Sequence, residues 1–142
     1  MSNSQATSTA TVPESILLIE DNEEAAFLVE ATIEKYAKGK YALEWVKCLD
    51  EGRTRLLKGG IDLVLLDLGL PDSSGSSTYQ AIRAIAPEVP VLVLTGDSAE
   101  ETEATITAEG GEDYLVKDQV SGPLLMRAVQ SVLYASKLKG RA

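Results

Sequence analysis

Five side chains in this sequence have the types and the spacing for phosphoryl chemistry: the adjacent acids Glu20 and Asp21, then Asp67, Thr95 and Lys117. Each stands at the end of a short apolar run. Ile16–Ile19 precedes the acid pair, Ile61–Leu66 leads into Asp67, Val91–Leu94 into Thr95, and Tyr114–Lys117 ends on the lysine. Short runs rich in β-formers read as strands buried on both faces, as in a parallel sheet. The carboxyl edge of such a sheet is where open α/β folds bind ligands. Residues far apart in sequence would meet there. Three carboxylates in one pocket repel one another, and a hard divalent cation with oxygen ligands, Mg²⁺ above all, relieves the repulsion. A hydroxyl and an ammonium beside them supply the donors and positive charge that a phosphoryl group needs. Asp67 then stands as a nucleophile able to form an aspartyl-phosphate.

Alone, each residue has a plainer explanation. Asp67 would be a solvated acid opening a turn, Glu20 and Asp21 helix-start acids, Thr95 a turn hydroxyl and Lys117 a surface charge. Their common position at strand ends favours the chemical reading.

The elements that must position these residues alternate along the chain. After the first strand a helix is predicted from Glu23 to Lys38, stopped by Gly39. Tyr41–Lys47 is a second strand, mixed in polarity as an edge strand would be. A short helix, Asp50–Lys58, closes on Gly59-Gly60 before the central strand. Thr78–Ala86 is the third helix, with a start nearer Gly75 also admissible. Ser98-Ala-Glu-Glu101 has the form of a capping box and opens a fourth helix, ended by Gly110-Gly111. Ser121-Gly-Pro123 starts the last helix, whose apolar stripe is Leu124, Leu125, Ala128, Val129, Val132 and Leu133. Five strands alternating with five helices predict a doubly wound α/β sheet. Residues 1–13 are polar and aperiodic and read as a disordered leader, with the domain proper over 14–139.

Composition narrows the function. A chain of 142 residues holds one domain with a substantial core. A net charge of −9 argues against direct binding to nucleic acid or to anionic membranes. Its single cysteine, Cys48, fits a reducing, cytoplasmic compartment. The absence of histidine removes His-based triads, His zinc sites and a phosphohistidine within this chain.

The stretches Ile-Leu-Leu-Ile-Glu-Asp-Asn22, Leu-Val-Leu-Leu-Asp-Leu-Gly-Leu-Pro-Asp-Ser-Ser-Gly75, Val-Leu-Val-Leu-Thr-Gly96 and Asp-Tyr-Leu-Val-Lys117 resemble the receiver domain of bacterial two-component response regulators. The similarity runs from about Ser15 to Leu138. It implies a flavodoxin-like strand order, 2-1-3-4-5. By that resemblance Asp67 is the phosphoacceptor, taking phosphate from a phosphohistidine on a sensor kinase or phosphotransfer protein. Glu20 and Asp21 are then the acids that help hold Mg²⁺, with the Gly69 carbonyl as a further ligand. Thr95 and Lys117 become phosphate-binding residues, and Thr95 and Tyr114 the switch. Such a domain is a signalling module that can dephosphorylate itself, not an enzyme in the ordinary sense. Gly69 and Asp97 would flank the path of the attacking water. Asp118 stands where the family usually has a proline in a cis bond, a geometry costing about 2.5–4 kcal/mol without proline.

Two other α/β readings fit less well. A Rossmann-type nucleotide site wants a glycine-rich turn after the first strand, and Glu20-Asp-Asn-Glu-Glu24 stands there. An aspartyl phosphatase wants a second acid where Gly69 is. The remaining alternative is a receiver-like scaffold that no longer uses phosphate. No output domain is legible after Leu138. The signal is therefore expected to leave through a protein partner, or a homodimer, on the face of the fourth helix, fifth strand and fifth helix. Trp45, on the second strand, is expected to be too far from the acids to sense them.

Overall fold

The computed structural model describes residues 13–73, 75–95, 113–116 and 121–140. Among these are the strands β1 (Glu14–Ile19), β2 (Tyr41–Val46), β3 (Leu63–Leu66), β4 (Val91–Thr95) and β5 (Asp113–Val116). The helices are α1 (Glu23–Ala37), α2 (Leu49–Leu57), α3 (Ser76–Ile85) and α4 (Gly122–Gly140). All neighbouring strands pair in parallel, in the order β2-β1-β3-β4-β5. This is a flavodoxin-like α/β sheet. The helix predicted to open at Ser98 lies outside the described residues, as do leader residues 1–12.

The alternation of side chains along a strand divides the interior in two. Ile16 and Leu18, Leu63 and Leu65, and Leu92 and Leu94 face one core, closed by α1 and α4. Leu17 and Ile19, Val64 and Leu66, and Val91 and Val93 face the other, closed by α2 and α3. Because β1, β3 and β4 are covered on both faces, their sequences read as unbroken apolar runs. β2 lies at the sheet edge, and its mixture of half-buried and exposed residues matches the polarity mixture seen in the sequence.

β3 is shorter at its start than the apolar run suggested. Asp62 binds Ser15 through both main chain and side chain, its amide donating to the Ser15 carbonyl at 2.8 Å while its carboxylate accepts the Ser15 amide at 2.7 Å. Ladder pairing with β1 begins only at Leu63.

Capping fixes the helix starts. Asn22 caps α1, its Oδ1 accepting the Ala25 amide at 2.8 Å, and Glu23 and Glu24 place negative charge in the first turn. α2 has Cys48 at its cap position, which offers no side-chain bond. Its cap comes from a distant loop: Asp72 accepts the Leu49 amide at 2.9 Å and the Asp50 amide at 3.0 Å.

The Leu49 amide bond, aided by that from Asp50 and by the Arg53 charge, outweighs desolvation and holds the Asp72 carboxyl below the usual carboxylate range. In the unfolded chain the group titrates near pH 3.9, at about the ordinary aspartate value. Asp72 therefore contributes its full stability above that pH and loses it as pH falls through the lower folded value. Melting temperatures of wild type and Asp72→Asn are expected to differ at pH 7 and to converge in acid. A gap independent of pH would show that the carboxylate charge contributes nothing.

Candidate functional site

Strand register builds the site. Ile19 pairs with Leu66, so Glu20 and Asp67 emerge side by side from the carboxyl ends of β1 and β3. The Asp67 amide donates to the Ile19 carbonyl at 3.0 Å, and the Glu20 amide to the Val46 carbonyl at 3.0 Å. Main-chain pairing thus continues one residue past the strands and fixes where both acids leave the sheet. One carboxylate oxygen from each of Glu20, Asp21 and Asp67 lies within 4.8 Å of the others. Glu20 is 1% exposed and Asp67 7%, whereas Asp21 faces solvent.

Buried carboxylates so close together need compensating positive charge. Two local amides help: Asn22 donates to Glu20 Oε2 at 3.2 Å and Gly69 to Asp67 Oδ1 at 3.3 Å. An all-oxygen donor set of this charge suits Mg²⁺, which binds oxygens at about 2.0–2.1 Å and so spans roughly 4 Å between opposite ligands. The three carboxylates are of the kind that such an ion takes, and they converge on one point of the sheet edge.

The loop after Asp67 is folded back on itself. Leu70 and Ser73 bridge, the Gly75 amide donates to the Leu68 carbonyl at 3.2 Å, and the Ser73 and Thr78 hydroxyls lie 2.7 Å apart. Gly75, at φ 65°, takes the left-handed turn that starts α3, a conformation costly for any residue with a Cβ.

The other predicted site residues are placed only through the backbone or not at all. Thr95 closes β4 and pairs with Val116, which puts it at the same sheet edge as the acids. Tyr114 pairs with Val93 one strand further out. The side chains of both, and all of Asp97, Lys117 and Asp118, lie outside the described residues.

One expectation is corrected. Trp45 is close to the acids, its indole N–H donating to the Glu20 carbonyl at 2.6 Å. Trp45 and Val46 pair with Leu18 and Ile19, so the end of β2 runs beside the start of the β1 loop. Asp72 and Trp45 are both neighbours of the site that the sequence did not suggest, because their partners are 23 and 25 residues away.

Comparison with known proteins agrees with this geometry. The family described as response regulator receiver domain matches residues 16–130. The swarming motility regulation protein RssB of Serratia marcescens is 32% identical over 79% of this chain and 50% of its own length. The chain thus spans about half, or less, of the curated relatives it matches. Among solved structures, the signal receiver domain of a LuxO repressor protein from Vibrio parahaemolyticus superposes with a TM-score of 0.81 at 23% identity, covering 91% of this chain and 96% of that one. The receiver domain of a sensor histidine kinase from Pseudomonas aeruginosa, with a magnesium ion coordinated in its active site cleft, gives 0.73 at 26% identity, covering 86% and 98%.

Proposed function

The chain belongs to the response regulator receiver domain family, and from that membership we propose that it accepts a phosphoryl group on Asp67 and signals by protein contact. The observation that carries this reading is the acidic cluster: Asp67, nearly buried, with Glu20 and Asp21 at the same sheet edge. The donor is a phosphohistidine on a sensor kinase or phosphotransfer protein. An Asp67 carboxylate oxygen attacks phosphorus, the N–P bond breaks, and the departing imidazole takes up a proton. Glu20, Asp21, Asp67 and the Gly69 carbonyl would hold Mg²⁺, which neutralises charge on the phosphoryl oxygens. Lys117 and Thr95 bind those oxygens, one by charge and the other by its hydroxyl. Water later hydrolyses the acyl phosphate, returning Asp67 to its carboxylate.

Thr95 and Tyr114 form the switch. Thr95 directly precedes the segment predicted as the fourth helix of the doubly wound fold, which opens at Ser98, so its movement toward the phosphate draws on that segment. The surface it shares with β5 and α4 is the output face. The domain occupies residues 14–139 and works in the cytoplasm. Among the described residues, no helix is long and apolar enough to cross a membrane.

Incubation with acetyl phosphate and Mg²⁺ tests the central step. The protein is expected to gain one phosphoryl mass, which is lost in base, and to gain none when EDTA replaces Mg²⁺. Modification that proceeds equally without the cation would remove the metal from the reading.

A further inference from the structure

The two loops that carry the acids leave different strands, yet one short segment holds both. At the end of β2, Trp45 donates its indole N–H to the Glu20 carbonyl at 2.6 Å, and the Val46 carbonyl accepts the Glu20 amide at 3.0 Å. A few residues later α2 begins, and its Leu49 and Asp50 amides hold the two carboxylate oxygens of Asp72. Asp72 sits in the loop of Asp67 and Gly69, which the Leu70–Ser73 bridge and the Gly75–Leu68 hydrogen bond make compact. Residues 45–50 therefore grip the Glu20 loop at one end and the Asp67 loop at the other.

We propose that Trp45 and Asp72 are positioning residues for the cation site, joined through the start of α2 into a brace that fixes the distance between Glu20 and Asp67. Neither touches the reacting atoms. The proposal rests on the reading of Glu20, Asp21 and Asp67 as ligands of a hard divalent cation. Without a cation, mutual repulsion among these carboxylates pushes the two loops apart. The brace resists that separation, so less ordering remains to be done when the ion binds. Groups behind a metal's ligands commonly set its affinity in this way, by orienting what touches the ion. The bond at Asp72 suits the task because a carboxylate accepting two amides at a helix N-terminus is charge-assisted and aligned with the helix dipole. The plainer role for Asp72, a helix cap and nothing more, predicts a loss of stability with no loss of cation affinity.

Mg²⁺ titrations by calorimetry on the whole chain separate the two. The variants are Trp45→Phe, which keeps an aromatic ring but no donor, Asp72→Ala, and Asp72→Asn, which keeps one acceptor oxygen. Gly59→Ala is the control. Gly59 lies just beyond the far end of α2 at φ +77°, with nothing within 4 Å of an added Cβ, so alanine there strains the backbone without reaching the site. Trp45→Phe and Asp72→Ala are expected to weaken Mg²⁺ binding about 10-fold, with Asp72→Asn between them and wild type. Gly59→Ala is expected to lower the melting temperature and leave the Mg²⁺ affinity unchanged. Wild-type affinity in the Trp45 and Asp72 variants overturns the proposal while sparing the ligand reading. An equal loss in Gly59→Ala also overturns it, since affinity would then follow stability alone. A wild-type protein that binds no Mg²⁺ overturns the ligand reading and the brace with it.

Discussion

Asp67→Asn is expected to abolish phosphoryl uptake from acetyl phosphate while leaving the fold intact. The amide has nearly the shape of the carboxylate and keeps an oxygen for the Gly69 amide, which donates to Asp67 Oδ1 at 3.3 Å. It is not a nucleophile at neutral pH. The rate should fall by about a thousandfold or more, equivalent to a barrier raised by on the order of 4 kcal/mol. The substitution also removes one negative charge from a cluster whose oxygens lie within 4.8 Å of one another. Relief of that repulsion predicts a melting temperature equal to or above that of wild type in the absence of Mg²⁺. Intact-mass measurement after acetyl phosphate treatment, beside a thermal melt, checks both parts. Phosphorylation of Asp67→Asn at the wild-type rate would move the acceptor to another side chain, Glu20 or Asp21 being the nearest candidates.

Leu65→Ala is expected to be among the most destabilising single changes. Leu65 is fully buried at the centre of the sheet, paired with Leu18 on β1 and Leu92 on β4, and belongs to the core under α1 and α4. Such truncations cost about 2–5 kcal/mol, from lost transfer energy plus the cavity left behind. A domain of ordinary stability has only about 5–15 kcal/mol in total. The melting temperature should fall by roughly 10 °C. Phe27→Ala makes the contrast: Phe27 is 67% exposed, and its loss should change stability by no more than about 0.5 kcal/mol. Urea unfolding of the two variants measures the difference directly. Similar costs at both positions would mean that the core is not where the burial places it.

The acid cluster was legible because periodicity and strand ends are local properties of a sequence. Once Ile16–Ile19 and Leu63–Leu66 are parallel neighbours, Glu20 and Asp67 have nowhere to go but the same edge. The edge position of β2 was legible for the same reason, from its mixed polarity. What could not be read were bonds closed by tertiary packing. Cys48 offers α2 no cap, and nothing near it in sequence suggests that Asp72 will supply one. Trp45 looked remote because its sequence position says nothing about where its indole reaches, which is the Glu20 carbonyl 25 residues away. Asp62 looked like the interior of a strand, whereas both its side chain and its amide are taken up by Ser15.

The division of the interior by the sheet has a mechanical consequence. Ile16, Leu18, Leu63 and Leu65 transmit only to the layer of α1 and α4, while Leu17, Ile19, Val64 and Leu66 transmit only to the layer of α2 and α3. Among the described residues the two buried clusters share no side chain, and the backbones of the strands lie between them. A displacement in one layer therefore reaches the other as a tilt or slide of a strand. Glu20 and Asp67 sit at the tips of two such strands, where a lever's travel is greatest. An event at those tips is delivered to both layers at once, and a load on either layer is felt at the tips.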